Sequence, residues 1–375
     1  MCIDQPIFDR ERESTLRITD GVFVPAADVD PAFVREKKDG LLFLDALAPQ
    51  FRISGIRHPK DNGNEYYRLD AAKRTAYSPA NASLAECTAG AQIRFRTDAE
   101  KLTLRITLRA AIAGMHHFTD RGAYGIDLYT GTGTKRTYLG AMMQTFADSP
   151  VYNEQTVALP GGMQEVTITL YGGINSFVIG MPENALLGLP LPRAIEKPIA
   201  FYGSSITQGG CVSRPANMYS HILCRMLDAD CLNLGFSGSA MGEQSIAEYL
   251  ATREMSAFVM DYDYNSTSLE SLANTHYPFY KTVRRAHPDL PIVIVTHPYY
   301  HAEAENDKAR KDVIRETVRR AAEEGDTRVE FVDSEAFFPL QMRDLYAVDA
   351  LHPNDLGQFM MARAIYPALK RALQV

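Results

Sequence analysis

The sequence predicts an α/β protein in which an antiparallel β-sandwich precedes a three-layer α/β/α sandwich. The first half of the 375 residues repeats short alternating segments separated by glycine turns. The second half alternates near-continuous apolar segments with long helical patterns. A proline-containing stretch, residues 186–198, lies between these two patterns. We therefore predict two domains, residues 1–190 and residues 191–375.

The first half shows the period-two pattern of strands in a jelly-roll-like antiparallel sandwich. Arg94 and Arg96 alternate with apolar residues, so one face of their sheet is expected to contact solvent. The predicted strands are residues 92–96, 102–108, 125–129, 155–159, 166–171 and 176–180.

The second half predicts a parallel sheet covered by helices on both faces. Right-handed crossovers between parallel strands then give a flavodoxin-like three-layer sandwich. The predicted strands are residues 199–202, 231–236, 257–262, 292–296 and 329–332. The predicted helices are residues 216–227, 243–253, 269–286, 308–324 and 356–373.

Composition limits the partners and the compartment. A net charge of -7 and the lack of a long basic run argue against nucleic acid or an anionic membrane. The first residues lack an apolar signal core, and no segment is long and apolar enough to cross a bilayer. Five cysteines without C-x-x-C spacing are typical of reduced thiols. We expect a cytoplasmic protein with no membrane partner, and the oligomeric state stays open, a homo-oligomer included.

The chemistry is expected where the strand at residues 199–202 ends in a glycine turn. Ser204 and Ser205 lie on this turn, at the carboxyl end of a parallel strand, where open α/β sheets place their active sites. A serine there acts as a nucleophile if a histidine can take its proton. Taken alone, each serine is more typical of a turn or helix cap, and Ser237 after the next strand is a third candidate.

A histidine that could serve as the base lies near the end of the chain. His352 follows Asp349 by three residues on a predicted loop before the last helix. Asp349 could accept from the second imidazole nitrogen and orient the ring. Asp261 and Asp263 compete for this role, but the Asp-x-x-His spacing favours Asp349.

Two further residues follow strands at the same predicted edge. Gly238 follows the second strand and lets its backbone N–H approach a ligand closely. Asn265 follows the third strand and offers a neutral donor suited to an oxyanion. Either one in isolation is an ordinary turn residue.

Together these four blocks resemble the SGNH hydrolases, also called GDSL esterases, over residues 198–375. The resemblance implies that Ser205 is the nucleophile, that His352 is the base and that Asp349 orients it. It also implies an oxyanion hole made of the Ser205 and Gly238 N–H groups and the Asn265 side chain. Residues 125–129 read Gly-Ile-Asp-Leu-Tyr, which resembles the Gly-x-Asp-Leu-Tyr signature of a β-rich domain found before some SGNH-type esterases.

The sequence departs from the family pattern at two places. Ser204 stands where the first block usually has aspartate, which changes the local hydrogen bonding. Tyr264 stands where the third block usually has glycine. A bulky residue there would narrow the acyl pocket and favour short acyl groups.

The resulting hypothesis is a serine esterase that hydrolyses short O-acyl groups, O-acetyl above all, on a small molecule or oligosaccharide. An acyltransferase that uses the same acyl-enzyme and a non-catalytic glycan-binding protein remain alternatives. We expect neither a cofactor nor a metal, because a ligand set needs three or more convergent groups. The histidines considered for a metal, each more typical of a structural or surface role, are His116, His117, His276, His287, His297 and His301.

Overall fold

The computed structural model describes residues 22–109, 117–142, 152–298, 305–338 and 340–375. Within these residues, two antiparallel sheets come from the first half and a parallel sheet comes from the second half. The predicted fold class is therefore confirmed.

The first half forms a sandwich of two antiparallel sheets. Ile93 and Ile168 on one sheet and Leu104 and Ile179 on the other belong to one buried cluster. In the described residues, one sheet has the order β1-β12-β5-β10-β7-β8, with β4 also paired to β5, and the other has the order β2-β3-β11-β6-β9. The strands are β1 (Val24–Pro25), β2 (Val34–Lys38), β3 (Leu41–Asp45), β4 (Arg52–Ser54), β5 (Gln92–Thr97), β6 (Lys101–Leu108), β7 (Ile126–Thr132), β8 (Lys135–Met142), β9 (Tyr152–Ala158), β10 (Gln164–Thr169), β11 (Ile174–Pro182) and β12 (Leu186–Gly188). Two short helices accompany them, α1 (Pro79–Leu84) and α2 (Asp120–Tyr124).

The expectation that Arg94 and Arg96 face solvent is wrong, because both are buried. Arg94 donates to the carboxylate of Glu165 at 2.7 Å and to the Leu191 carbonyl at 2.8 Å. Arg96 donates to the Leu189 carbonyl at 2.7 Å. The chain after β12 covers this face and supplies acceptors, so the guanidinium groups are buried with partners.

The second half forms a parallel sheet in the order β14-β13-β15-β16-β17. Its strands are β13 (Ile195–Gly203), β14 (Ala229–Gly235), β15 (Ala257–Asp261), β16 (Ile292–Val295) and β17 (Val329–Val332). Its helices are α3 (Ser205–Gln208), α4 (Tyr219–Leu227), α5 (Gln244–Ala251), α6 (Leu269–Ala286), α7 (Glu305–Glu323) and α8 (Asp355–Leu373). Helices α4 and α8 share a buried cluster on one face of the sheet, while α5, α6 and α7 share another on the opposite face. None of the helices in the described ranges has both the length and the apolar character needed to span a bilayer.

Part of the first half packs into the second half. Tyr67, Leu69 and Tyr77 belong to the same buried cluster as residues of α5 and α6. The fully buried Arg68 donates to the carbonyls of Asn233 and Gly235, at 3.0 and 2.7 Å. Residues 67–77 therefore pack among the helices of the second half, and Arg68 reaches the end of β14. The division at residue 190 stays a prediction.

Candidate active site

The turn from Gly203 to Ser205, called the nucleophile turn below, connects β13 to α3. It is tight enough that only glycine fits at its first position. A Cβ atom on Gly203 would lie 2.1 Å from both the Asp261 carbonyl oxygen and the Thr207 hydroxyl. The next residue, Ser204, caps α3, since its hydroxyl accepts from the Ile206 N–H at 3.2 Å. Ser205 is the first residue of α3 and is partly exposed. The sequence thus makes Ser204 a buried cap and leaves the Ser205 hydroxyl for another partner.

That partner is His352, on the loop before α8. The Ser205 Oγ and His352 Nε2 atoms lie 2.9 Å apart. On the other side of the ring, His352 Nδ1 lies 2.9 Å from Asp349 Oδ2. Because a carboxylate only accepts, Nδ1 carries the proton and Nε2 accepts from the serine hydroxyl. The structure therefore joins the three predicted residues in one hydrogen-bonded chain.

The loop itself holds Asp349 in place and keeps it ionised. Its Oδ1 atom accepts from the backbone N–H groups of Leu351 and His352, at 2.8 and 2.6 Å. Partial burial raises the pKa of Asp349, but the hydrogen bonds from His352 and Leu351 outweigh it and lower the pKa to about 2. The carboxylate therefore carries its charge at neutral pH.

Helix α8 fixes this loop against the nucleophile turn. Asn354 caps the helix by accepting from the Gly357 N–H at 3.1 Å. One turn on, the buried Gln358 accepts from the Tyr219 N–H at 2.8 Å and donates to the Ile206 carbonyl at 3.4 Å. One side chain of α8 thus binds both α3 and α4, so the two halves of the site are positioned together.

Gly238 and Asn265 lie on loops beside this turn. Gly203 pairs in register with Gly235 of β14 and with Asp261 of β15, so all three strands end at one edge. Gly238 has a φ of 65° and lies in the exposed loop after β14. The Asn265 amide donates to the Phe236 carbonyl at 3.3 Å, which joins the loop after β15 to the loop that carries Gly238.

The competing residues have other partners. Ser237 lies on the exposed loop after β14, and its N–H donates to the Gln208 side chain at 2.8 Å. Asp261 accepts from Thr207 and Tyr219, at 2.9 and 2.7 Å. Asp263 accepts from His297 Nδ1 at 2.7 Å. Of the three predicted acids, Asp349 is the one that the structure pairs with His352.

The other histidines are distributed through the fold. His276 bonds the Thr317 hydroxyl at 2.8 Å, and His287 bonds the Leu250 carbonyl at 3.2 Å. His117 is exposed, and its ring stacks on that of His352 with 5.3 Å between centroids. His116 and His301 lie outside the described residues.

The Gly-x-Asp-Leu-Tyr motif has a role that sequence reasoning missed. The fully buried carboxylate of Asp127 accepts from the Ala216 N–H at 2.6 Å and from Arg214 at 3.3 Å. The Tyr129 hydroxyl accepts from Arg214 at 2.7 Å and from Arg225 at 3.0 Å. The motif was visible as a signal, but its partners lie about 90 residues away, in the segment between α3 and α4 and in α4 itself. It binds the first half of the chain to the segment that follows the nucleophile turn.

Comparisons with known proteins identify related sequences for both halves of the chain. A model of the GDSL-like lipase/acylhydrolase family matches residues 196–370, and a model of the N-terminal domain of SGNH-hydrolase-type esterases matches residues 41–187. No curated protein matches the sequence significantly.

Solved structures share the fold over large parts of this chain. A protein from Bacteroides ovatus described as a GDSL-like lipase is 25% identical, with a TM-score of 0.80 over 89% of this chain and 98% of that chain. A salicylyl-acyltransferase from a tetracycline biosynthetic pathway is 16% identical, with a TM-score of 0.74 over 90% of this chain and 99% of that chain. A family two carbohydrate esterase from Clostridium thermocellum, in complex with cellohexaose, is 16% identical, with a TM-score of 0.56 over 76% of this chain and 93% of that chain.

The last two likenesses show the fold alone, whereas the family matches bear on the chemistry. The two family models lie side by side and together span most of the chain. The chain therefore belongs to the SGNH, or GDSL-type, family of carboxylic ester hydrolases, in the form that carries an N-terminal Gly-x-Asp-Leu-Tyr domain.

Proposed function

We propose that this esterase removes short O-acyl groups, O-acetyl above all, from carbohydrates through an acyl-enzyme on Ser205. The Ser205 Oγ atom attacks the ester carbonyl carbon while Nε2 of His352 takes the hydroxyl proton. His352 then gives this proton to the leaving alcohol. A water molecule, deprotonated by His352, attacks the acyl-enzyme and releases the acid.

The single observation that carries this proposal is the hydrogen-bonded chain Ser205–His352–Asp349, with 2.9 Å at each side-chain contact. A nucleophile and base within hydrogen-bond distance, with the base oriented by a third group, is the arrangement that acyl transfer requires. The ionised Asp349 stabilises the imidazolium that forms during attack.

The oxyanion that develops on the carbonyl oxygen needs donors opposite the histidine. Ser205 and Gly238 supply backbone N–H groups, and Asn265 supplies its amide. An amide has two N–H groups, so the bond from Asn265 to Phe236 leaves one for the substrate. Loss of one such donor costs about 10²- to 10³-fold in kcat.

Two observations support a short acyl group on a sugar. Tyr264 packs against His297, with 5.2 Å between ring centroids, directly beside Asn265. An aromatic ring at a position where the family usually has glycine leaves less room for a long acyl chain. The shared fold with a carbohydrate esterase supports the choice of an acetylated sugar as the first natural substrate to test.

The direct test compares hydrolysis of 4-nitrophenyl acetate by the wild type, Ser205→Ala and Ser204→Ala. We expect Ser205→Ala to lose at least about 10³-fold in kcat and Ser204→Ala to keep most of its activity, since Ser204 only caps α3. Full activity of Ser205→Ala would refute the proposed nucleophile. Acetylated xylan and mannan oligosaccharides then test which alcohol the enzyme accepts. Octanoyl esters, compared with acetyl esters, test the acyl length.

The same acyl-enzyme would make an acyltransferase if an alcohol replaced water. The fold shared with a salicylyl-acyltransferase supports testing an alcohol as the acceptor of the acyl group. A new ester formed in the presence of an added sugar alcohol would favour transfer, and release of free acetate alone would favour hydrolysis.

A further inference from the structure

Three side chains from distant parts of the sequence meet beside the nucleophile turn. They are His117 of the first half, Cys211 after α3 and His352 on the loop before α8. One nitrogen or sulfur atom of each lies within 4.8 Å of the corresponding atoms of the other two. The rings of His117 and His352 stack with an angle of 26° between their planes. This placement gives three convergent ligand atoms, which the sequence did not reveal.

The turn after α3 holds Cys211 toward this point. Gly209 and Gly210 both donate to the Ser205 carbonyl, at 3.1 and 2.7 Å, so the chain folds back over the nucleophile. Cys211 then has a φ of 69°, a left-handed conformation that is uncommon for a residue with a side chain. Its side chain is nearly buried, at 8% exposure. The backbone hydrogen bonds of Gly209 and Gly210 therefore place the Cys211 backbone beside Ser205.

Two imidazoles and one thiol form a ligand set of borderline softness, which suits Zn²⁺ better than Mg²⁺ or Ca²⁺. Ligand atoms of a tetrahedral zinc site lie roughly 3.3–3.6 Å apart. The three atoms here need to approach one another by about 1 Å, which a rotation of the exposed His117 side chain about its χ angles can supply. Zinc sites with three protein ligands keep a fourth position for water or another oxygen.

We propose that Zn²⁺ binds His117, Cys211 and His352 and thereby switches the esterase off. The inhibitory part rests on the proposed role of His352 as the base. Nδ1 of His352 already bonds Asp349, so Nε2 is the nitrogen that coordinates the ion, and this removes its hydrogen bond to Ser205.

The charges at the site balance when zinc is bound. The Cys211 thiol releases its proton to solvent and binds as a thiolate. The thiolate and the Asp349 carboxylate together carry two negative charges beside the divalent ion. Asp349 also becomes the carboxylate that hydrogen-bonds a metal-bound histidine, an arrangement that fixes the ring and strengthens the ligand. Removal of the ion with a chelator returns His352 to Ser205.

The first experiment measures metal binding without catalysis. Ser205→Ala is titrated with Co²⁺, and the absorption spectrum is followed for a thiolate-to-metal charge-transfer band and for tetrahedral d–d bands. Zn²⁺ is then added in competition. We expect both spectral features in Ser205→Ala. The double variant that also carries Cys211→Ser should lack the thiolate band. A spectrum without a thiolate band would overturn the site, whatever the esterase activity.

The second experiment measures inhibition. The rate of 4-nitrophenyl acetate hydrolysis with Zn²⁺ is divided by the metal-free rate of the same variant. We expect the half-inhibiting zinc concentration to rise by about 100-fold or more in Cys211→Ser and His117→Ala, and a chelator to restore the wild type. Cys87→Ser and His58→Ala, which change a free thiol and a histidine elsewhere, should behave as the wild type. Equal inhibition of Cys211→Ser and wild type would refute the proposal. An inactive wild type would count against the proposed function alone, because the Co²⁺ spectrum still decides the site.

Discussion

Ser204 and Ser205 are adjacent, yet their hydroxyl groups have different roles. Ser204 lies at the N-cap of α3 and accepts from the Ile206 N–H. Aspartate, which the family usually has at this position, can cap a helix in the same way. The Ser205 hydroxyl instead lies 2.9 Å from Nε2 of His352. The substitution of aspartate by serine therefore preserves a cap without adding a charge beside the nucleophile.

Asp349 is predicted to matter because it determines the tautomer of His352. In Asp349→Asn, the amide can donate to Nδ1 and leave the proton on Nε2, where it cannot accept from Ser205. We expect kcat to fall by roughly 10²- to 10⁴-fold, with the fold intact. Steady-state kinetics with 4-nitrophenyl acetate provide the measurement. Asp344→Asn, an exposed change five residues earlier, is the control, and equal rates in both variants would argue that Asp349 is dispensable.

Asp261 is predicted to make stability depend on pH. Burial raises its pKa to about 7, although Tyr219 and Thr207 hydrogen-bond to the carboxylate. The folded chain then holds a proton that the unfolded chain releases above about pH 4, so stability falls as pH rises from about 4 to about 7. Across this window the contribution is on the order of 4 kcal/mol.

The test is Asp261→Asn, which keeps an acceptor for both hydroxyl groups but does not titrate. Urea unfolding of both proteins at about pH 5 and about pH 8 gives the difference in the free energy of unfolding. We expect the wild type to lose stability relative to the variant as pH rises. A difference that stays constant with pH would mean that Asp261 is ionised throughout.

At the scale of elements, strand β7 links the two halves of the chain. Its Asp127 and Tyr129 side chains bind Arg214, Ala216 and Arg225 of the second half. Alternate residues of a strand point to the same face, so the Gly-x-Asp-Leu-Tyr spacing puts both polar groups on one side. This explains why an otherwise ordinary strand carries a buried carboxylate.

The corresponding prediction is that Asp127→Asn lowers the free energy of unfolding by about 2–4 kcal/mol, because it leaves a mostly buried Arg214 without its counter-ion. Urea titration measures the change, and Asp28→Asn, on an exposed turn, is the matched control. If the two variants were equally stable, the motif would contribute nothing to the association of the halves.

For the whole molecule, the sequence predicted the strands and helices of the second half closely, because apolar segments buried on both faces alternate with amphipathic helices. Strand ends of a parallel sheet share one edge, which made a meeting of the serine turn with His352 predictable. The choice of Ser205 over Ser204 and Ser237 came from the resemblance to the SGNH hydrolases. Three features were not accessible: the burial of Arg94, the convergence of His117 and Cys211 on His352, and the contacts of Arg68. Each depends on contacts between segments far apart in the chain, which periodicity does not encode.

The contacts of Arg68 predict that the second half does not fold alone. Residues 191–375 by themselves would expose the apolar surface that Tyr67, Leu69 and Tyr77 cover. We expect this fragment to aggregate or to unfold without a cooperative transition, and to regain solubility when it is co-expressed with residues 1–190. Circular dichroism during heating, beside the full chain, is the measurement. A cooperative, active fragment would contradict the prediction.

Arg68 also bears on how such a protein can change over generations. Its guanidinium group bonds the carbonyls of Asn233, Gly235 and Leu84 and lies over the Phe236 ring, on the loop that leads to Gly238. A genetic crossover at the proline-containing junction would pair one lineage's arginine with another lineage's strand end. Because the acceptors in the second half are backbone carbonyls, which every sequence provides, such an exchange keeps this contact wherever the first half carries an arginine at this position.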